Sequence, residues 1–482
     1  MTGKRTSVVG LTGVETPGAM YPNEKRSSSI SKADFEDPRK GDTIGVLNAA
    51  QCLSKAMVNA GAFSLPYAWY LGGFWVSFVA SFVICALNWY GNHILVRSSQ
   101  HLAKKSNKPA LDYGHFCRKL CDNSDSEFLR KVATPMVIGV NISVLCYQLG
   151  LGSVAILFIA DNMVSIVGTA LGPTRATQML VANTIVLFFA IFTNMYSKMR
   201  VVAFFAMIST FFLLIGIIVI MQESIRQPDF GKNLGTLPAV GNSFSDMMQM
   251  VGILMYAYEG QAMILPIENK LEKPEQMLAF PFGVVPITML VAGFFIWIIG
   301  LVGYAGYGSA VEATITINMP QTLLYQGVNV CLMIQTLAGN AIALYVIFEM
   351  FLDDFVAWFR GNWQSVPEFI VDKGFRLFWV LLCYAMAVVI PHLDIMIPLV
   401  GVTGGTMCAL IYPPLFEMMT FWNEWKATKS TFEVSLRVSW NLILMAIGVY
   451  AIITGVYSNY VAVIAAFESD AAANPTTAMP TN

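Results

Sequence analysis

Apolar runs near or above the ~20 residues needed to cross a bilayer recur along the chain. They fall at roughly 44–70, 73–96, 134–160, 178–197, 201–222, 244–268, 279–305, 322–352, 375–392, 395–418 and 438–463, which predicts eleven membrane-crossing helices. The expected fold is therefore an all-α polytopic membrane protein, with residues 42–463 forming its transmembrane domain. Residues 1–41 are polar and serine-rich and lack an apolar core, so they read as a disordered tail and neither a signal peptide nor a span. Residues 464–482 are rich in Ala, Pro and Thr and read the same way.

Composition agrees with this pattern. Of 482 residues, 56% are hydrophobic and 12% charged, against about a quarter charged in ordinary soluble domains. A net charge of −1 leaves no global field for nucleic acid. The eight cysteines form no CxxC pair and histidines number four, so neither a disulfide scaffold nor a metal site is expected. Orientation follows from the basic residues, because cytosolic loops carry the excess of Lys and Arg. With the amino terminus inside, 25 of the 29 Lys/Arg fall on the cytosolic side, while Arg175, Arg226 and Lys232 fall opposite and Lys55 lies within the first span. The carboxyl terminus is then external or luminal. In the cytosolic connection after the second span, Tyr113, Phe116 and Leu120 share a helical face ringed by Arg118, Lys119, Arg130 and Lys131. That stretch is either an amphipathic helix lying on the membrane surface or a solvated charged loop.

Two spans carry helix-breaking sequence at mid-depth, which lipid tolerates only where the released backbone groups meet protein, water or a ligand. In the first, Ala56 to Ala62 is a cluster of small residues around Asn59 and Gly61, followed by Pro66. In the sixth, Tyr256-Ala257-Tyr258-Glu259-Gly260-Gln261 sets a carboxylate, a glycine and an amide in the apolar run, closed by Pro266. A charge at the bilayer centre costs at least ~2.5–3.5 kcal/mol, so Glu259 should face a cavity or a partner. Spans one and six are five apart, as in an inverted repeat of five helices plus five. The repeats would cover about 44–222 and 244–418, with an extra helix at about 438–463. Half-helix amino ends in such repeats present N–H groups to an anionic substrate, which points to a secondary transporter of a carboxylate-bearing solute.

Asn59-Ala60-Gly61 followed by Leu65-Pro66-Tyr67-Ala68 and Gly72-Gly73 resembles the first-helix signature of the amino acid/auxin permease family. Tyr256-Ala257-Tyr258-Glu259-Gly260 with Leu265-Pro266-Ile267-Glu268-Asn269 is similar to its sixth-helix signature in the proton-coupled amino acid transporter branch. Leu149-Gly150-Leu151-Gly152 leading to Phe158-Ile159-Ala160-Asp161-Asn162 looks like that branch's third helix. The resemblance covers about residues 43–460 and implies a LeuT-like fold moving small neutral amino acids with protons across plasma or lysosomal membranes. A glycine-rich stretch of the branch is Ala56 to Gly61 here, with the last glycine kept, and a histidine it often carries three residues before the lysine is Cys52.

Roles follow from these placements. Backbone N–H groups around Asn59, Ala60 and Gly61, flanked by Val58 and Ala62, are expected to take the substrate carboxylate. Carbonyls near Tyr256 to Glu259 would take the amine, with Tyr258 and Tyr147 bounding the side-chain pocket and Gly260 supplying the break. Glu259 is the candidate proton carrier, because burial favours its protonated form and an arriving ammonium its ionised form. Lys55 either stands where sodium-driven relatives hold their ion or extends to the cytosolic rim. Gln335, Thr336 and Asn340 face the cavity or bond between helices, and Glu349, Asp353, Asp354, Asp161 and His392 cap span ends.

The leading expectation is a proton-coupled symporter of small neutral amino acids working by alternating access. Its rivals are a sodium-coupled carrier and, from another class, an amino acid sensor signalling through its cytosolic segments. An enzyme is disfavoured by the lack of a nucleophile elbow, metal-ligand pair or phosphate loop, and no cofactor other than the coupling ion is expected. Nothing filter-like supports a channel. The expected partners are an amino acid substrate and the lipid bilayer, not nucleic acid.

Overall fold

The computed structural model describes residues 43–106, 112–195, 199–363 and 365–473, so the predicted tail at 1–41 lies outside the described residues. The first span is three short helices, α1 (Val46–Met57), α2 (Ala60–Phe63) and α3 (Leu65–Gly72). After α4 (Phe74–Ser106), a connection containing α5 (Tyr113–Asp122) and α6 (Glu127–Lys131) leads to α7 (Ala133–Leu171), α8 (Arg175–Asn194) and α9 (Met199–Arg226). A short α10 (Phe230–Thr236) precedes the sixth span, which is α11 (Phe244–Tyr258), a 3-10 turn at Gln261–Met263 and α12 (Ile264–Lys270). Then come α13 (Val284–Tyr307), α14 (Leu323–Asn362) and α15 (Glu368–Val389). The tenth span is α16 (Leu393–Val400), two π-helical turns at Gly401–Gly405 and Met407–Ile411, and α17 (Tyr412–Thr428), and α18 (Thr431–Ala473) closes the chain.

Helix thus occupies each predicted span, and among the described residues nine helical stretches are long and apolar enough to cross a membrane. The fragmented first span and α15, which opens with Glu368, Asp372, Lys373 and Arg376, are the two outside that set. Several helices outrun their predicted ends because hydropathy marks the lipid-covered length, while i to i−4 bonding carries on into water. The last helix does so most plainly: Ala-rich sequence continues it to Ala473, ten residues beyond 463, where disorder had been expected.

Burial sorts the spans into centre and rim. In the sixth span 94% of the apolar window is buried inside the protein, against 28% in α8 and 22% in α18. α18 turns Ile453, Tyr457 and Tyr460 outward, as a lipid-facing helix should. α7 and α14 pack on one another and, with the tenth span, surround the two broken spans.

The connection after α4 departs from both expectations. It is helical, but Tyr113, Phe116 and Leu120 are buried within the protein, with the Tyr113 and Phe116 rings against Phe416 of α17. Its apolar face finds protein instead of lipid, and the Tyr113 hydroxyl donates to the Gln261 carbonyl at 2.8 Å. Segments also cross both ends of the bundle. On the amino-terminal face, Ile44 bonds the backbone of Lys270 and Glu272 just after α12. On the opposite face, Ile315 donates to the Phe63 carbonyl at the end of α2, and Thr314 and Thr316 are fully buried beside it.

Candidate functional site

The first span breaks because Asn59 offers its own side chain in place of a helical turn. Val58 and Asn59 leave the α region (Asn59 φ −119°, ψ −157°), and the Asn59 Oδ1 accepts from the Gly61 N–H at 2.9 Å. Its Nδ2 donates to the Ala56 carbonyl at 2.7 Å. The Val58 carbonyl accepts from Gln335 Nε2 of α14 at 3.0 Å, and Gln335 Oε1 accepts from the Thr336 hydroxyl at 2.9 Å. Asparagine at an amino cap is favoured for this reason, and Ala60, which opens α2, has no backbone acceptor for its N–H among the described residues.

The sixth span breaks at Glu259 and Gly260, both out of helical geometry. Glu259 Oε1 accepts from the Ala262 N–H at 3.1 Å, and Oε2 from the Tyr147 hydroxyl of α7 at 2.6 Å. The Gly260 N–H goes to Gln261 Oε1, whose Nε2 reaches Asn88 of α4 at 2.9 Å. Glu259 is 3% exposed, and its partners are neutral donors, with no ion pair among the described residues.

The two breaks touch. A side chain at Gly61 would overlap the Tyr256 ring, so glycine is what lets the first span approach the sixth. In the same way Gly404, in the first π-helical turn of the tenth span, makes room for Tyr147. Between the breaks, α7 and α14 lies a cavity lined by Lys55, Asn59, Ala60, Gln148, Leu151, Tyr256, Glu259, Thr336 and Asn340, among others. It admits about 30 Å³ of water-sized space, which is room for a couple of waters.

Of the residues singled out beforehand, Lys55, Asn59, Ala60, Tyr256 and Glu259 stand in this wall. Tyr147 acts on it through Glu259. Val58, Gly61, Ala62, Tyr258 and Gly260 do not line it. Val58 is tied to Gln335, Gly260 faces Leu53 and Met57, and Tyr258 turns toward Ser81 and Cys85 of α4. Lys55 is 1% exposed with its Nζ unpartnered among the described residues, so it does not extend to the rim. Thr336 and Asn340 face the cavity while Gln335 bonds between helices. At the span ends Asp161 pairs with Arg175 at 2.7 Å, and Glu349 accepts from Tyr345 with Lys270 at 3.9 Å.

Sequence reading missed Gln148, Leu151 and Ala155, a stripe at i, i+3 and i+7 along α7. An amide inside an apolar span was the available signal. It also missed the unwinding of the tenth span, for which the glycines at 401, 404 and 405 and the prolines at 398, 413 and 414 were the cue.

Comparison with known proteins bears on what this arrangement is for. The profile of the family described as transmembrane amino acid transporter protein matches residues 42–458. The chain belongs to that family. The transporter is 54% identical over 445 residues to a Caenorhabditis elegans protein named probable amino acid transporter skat-1, covering 92% of this chain and 96% of that one. It is 25% identical over 338 residues to vacuolar amino acid transporter 4 of Saccharomyces cerevisiae, spanning 68% of this chain and 43% of the yeast protein. Among solved structures it superposes on MhsT, crystallised in complex with L-phenylalanine, with a TM-score of 0.53 at 12% identity, over 87% of this chain and 99% of that one. The fold of the transporter is therefore LeuT-like, and it is an integral membrane protein of the amino acid/auxin permease family.

Proposed function

We propose that this transporter carries small neutral amino acids in symport with protons by alternating access, with Glu259 as the proton carrier. The observation that carries the reading is Glu259 itself: a buried carboxyl at a helix break, in the wall of a cavity, held by two neutral donors and by no cation among the described residues. An ionised carboxylate closed off from bulk water is expensive without a charged partner. Protonation removes that expense, and so does a substrate ammonium. The two loads are thereby linked, since the proton readies the site and the amine completes it.

The substrate carboxylate goes to the Ala60 N–H at the head of α2. A cavity that holds a couple of waters must widen to admit an amino acid, and the crossings at Ile44 and Ile315 are the contacts to be released on each side in turn. Sodium coupling is the weaker reading, because the buried Lys55 side chain already stands in the cavity wall that would have to hold the ion. The distribution of basic residues favours a cytosolic amino terminus, and the membrane is the plasma membrane or one of lysosomal or vacuolar type.

The test is uptake of labelled amino acids into proteoliposomes under an inward proton gradient, with and without sodium, for the wild type and Glu259→Gln. Accumulation driven by protons without sodium, lost in the variant while binding persists, is the expected result. Unchanged proton-driven accumulation by Glu259→Gln removes Glu259 from the coupling. Binding without accumulation under any gradient turns the protein into a sensor.

A further inference from the structure

Resting on the reading of the cavity as the amino acid site, we infer that Gln148 is a specificity-determining residue that selects substrates whose neutral side chain ends in a hydroxyl or a carboxamide. Three amides stand in the cavity wall. Asn59 uses both ends on its own break. Asn340 donates to the Gly152 carbonyl at 3.0 Å and accepts from Asn194 at 2.8 Å. Gln148, 1% exposed, has neither its Oε1 nor its Nε2 hydrogen-bonded among the described residues. A buried amide left without partners on both atoms destabilises the fold, so a group that completes it on binding is favoured over one that does not.

Gln148 sits on the α7 wall with Leu151 and Ala155, on a different helix from the two broken spans that hold the ends common to all amino acids. It therefore meets the part of the substrate that varies. The amide also defines the chemistry. Its Nε2 needs an acceptor and its Oε1 needs a donor. An aliphatic side chain supplies neither, and a carboxylate supplies no donor. A hydroxyl or a carboxamide supplies both, and the unpartnered Lys55 Nζ in the same cavity adds further donors for its oxygen.

The experiment measures proton-driven uptake of near-isosteric pairs, L-threonine against L-valine and L-asparagine against L-leucine and L-aspartate, by the wild type and by Gln148→Met and Gln148→Leu. The wild type is expected to favour threonine and asparagine by at least about tenfold in kcat/KM, the discrimination of a single buried hydrogen bond. The variants are expected to bring each ratio within about threefold while still accumulating valine and leucine. The inference is overturned if the wild type takes up the members of each pair equally, if either variant keeps the preference, or if the variants lose all substrates alike, which would assign Gln148 to the common amino acid moiety. Should both variants fail to fold, the wild-type ratios decide alone. Accumulation of no amino acid at all by the wild type would instead sink the transport reading on which the inference rests.

Discussion

In the first span the backbone released at the break is satisfied almost locally, by the side chain of Asn59 and one amide from α14. In the sixth span the same work is spread over Glu259, Tyr147 of α7, Asn88 of α4 and Tyr113 of α5, residues up to 173 positions away in the chain. The first break is thus a nearly self-contained piece of structure, while the second is held by the rest of the bundle. It is also the one whose capping group can gain or lose a proton. A break tied to three other elements transmits a change in that group to each of them, which a self-capped break does not do.

The sharpest way to break this comparison is to force the two spans apart. Gly61→Val drives a branched side chain into the Tyr256 ring, and overpacking of this kind costs about 1–3 kcal/mol. It is expected to abolish uptake and to lower the melting temperature in detergent by several degrees; retention of uptake would show that the breaks need not touch. Tyr147→Phe comes next. It removes the only hydroxyl donor to Glu259 among the described residues, a bond to a charged group worth about 1.5–3 kcal/mol. Uptake should fall roughly tenfold or more, with the pH dependence of transport displaced, whereas an unshifted profile would reduce Tyr147 to packing. The smallest effect belongs to Asn59→Ala, which deletes a cap worth about 1 kcal/mol. It should lower thermal stability and leave the pH profile where it was, because Asn59 does not titrate; a displaced profile would mean that the two breaks are coupled more tightly than their contacts imply.

Much of this could be read in the chain before any coordinates. Pro66 and Gly61 in one apolar run, and Glu259 and Gly260 in another, announce interruption because a lipid-embedded helix has no solvent to accept stray backbone groups. Which neighbours then fill the gaps was not legible. Gln335 and Gln148 are both amides in apolar spans, yet one is spent on the Val58 carbonyl and the other on nothing. Helical phase alone does not distinguish them, since rotation of α7 and α14 is set by packing across the bundle. Tyr258 was expected to bound the side-chain pocket, but a hundred-degree step per residue along α11 sends it toward α4. The amphipathic stretch at α5 carried the same ambiguity. Periodicity reports that one face is apolar, not whether lipid or Phe416 will cover it.

What the chain determined by itself was the order of the apolar runs, where two of them fail as helices, and the placing of an ionisable group at one failure, all of which depend on local composition and on the absence of water in the bilayer. Only the tertiary structure decided that the two failures meet at Gly61 and Tyr256, that Tyr147 takes Glu259, and that Gln148 and Lys55 stand unpartnered among the described residues in the space between. Those contacts join positions far apart in sequence, and their geometry follows from how the helices close around one another, which no local pattern encodes.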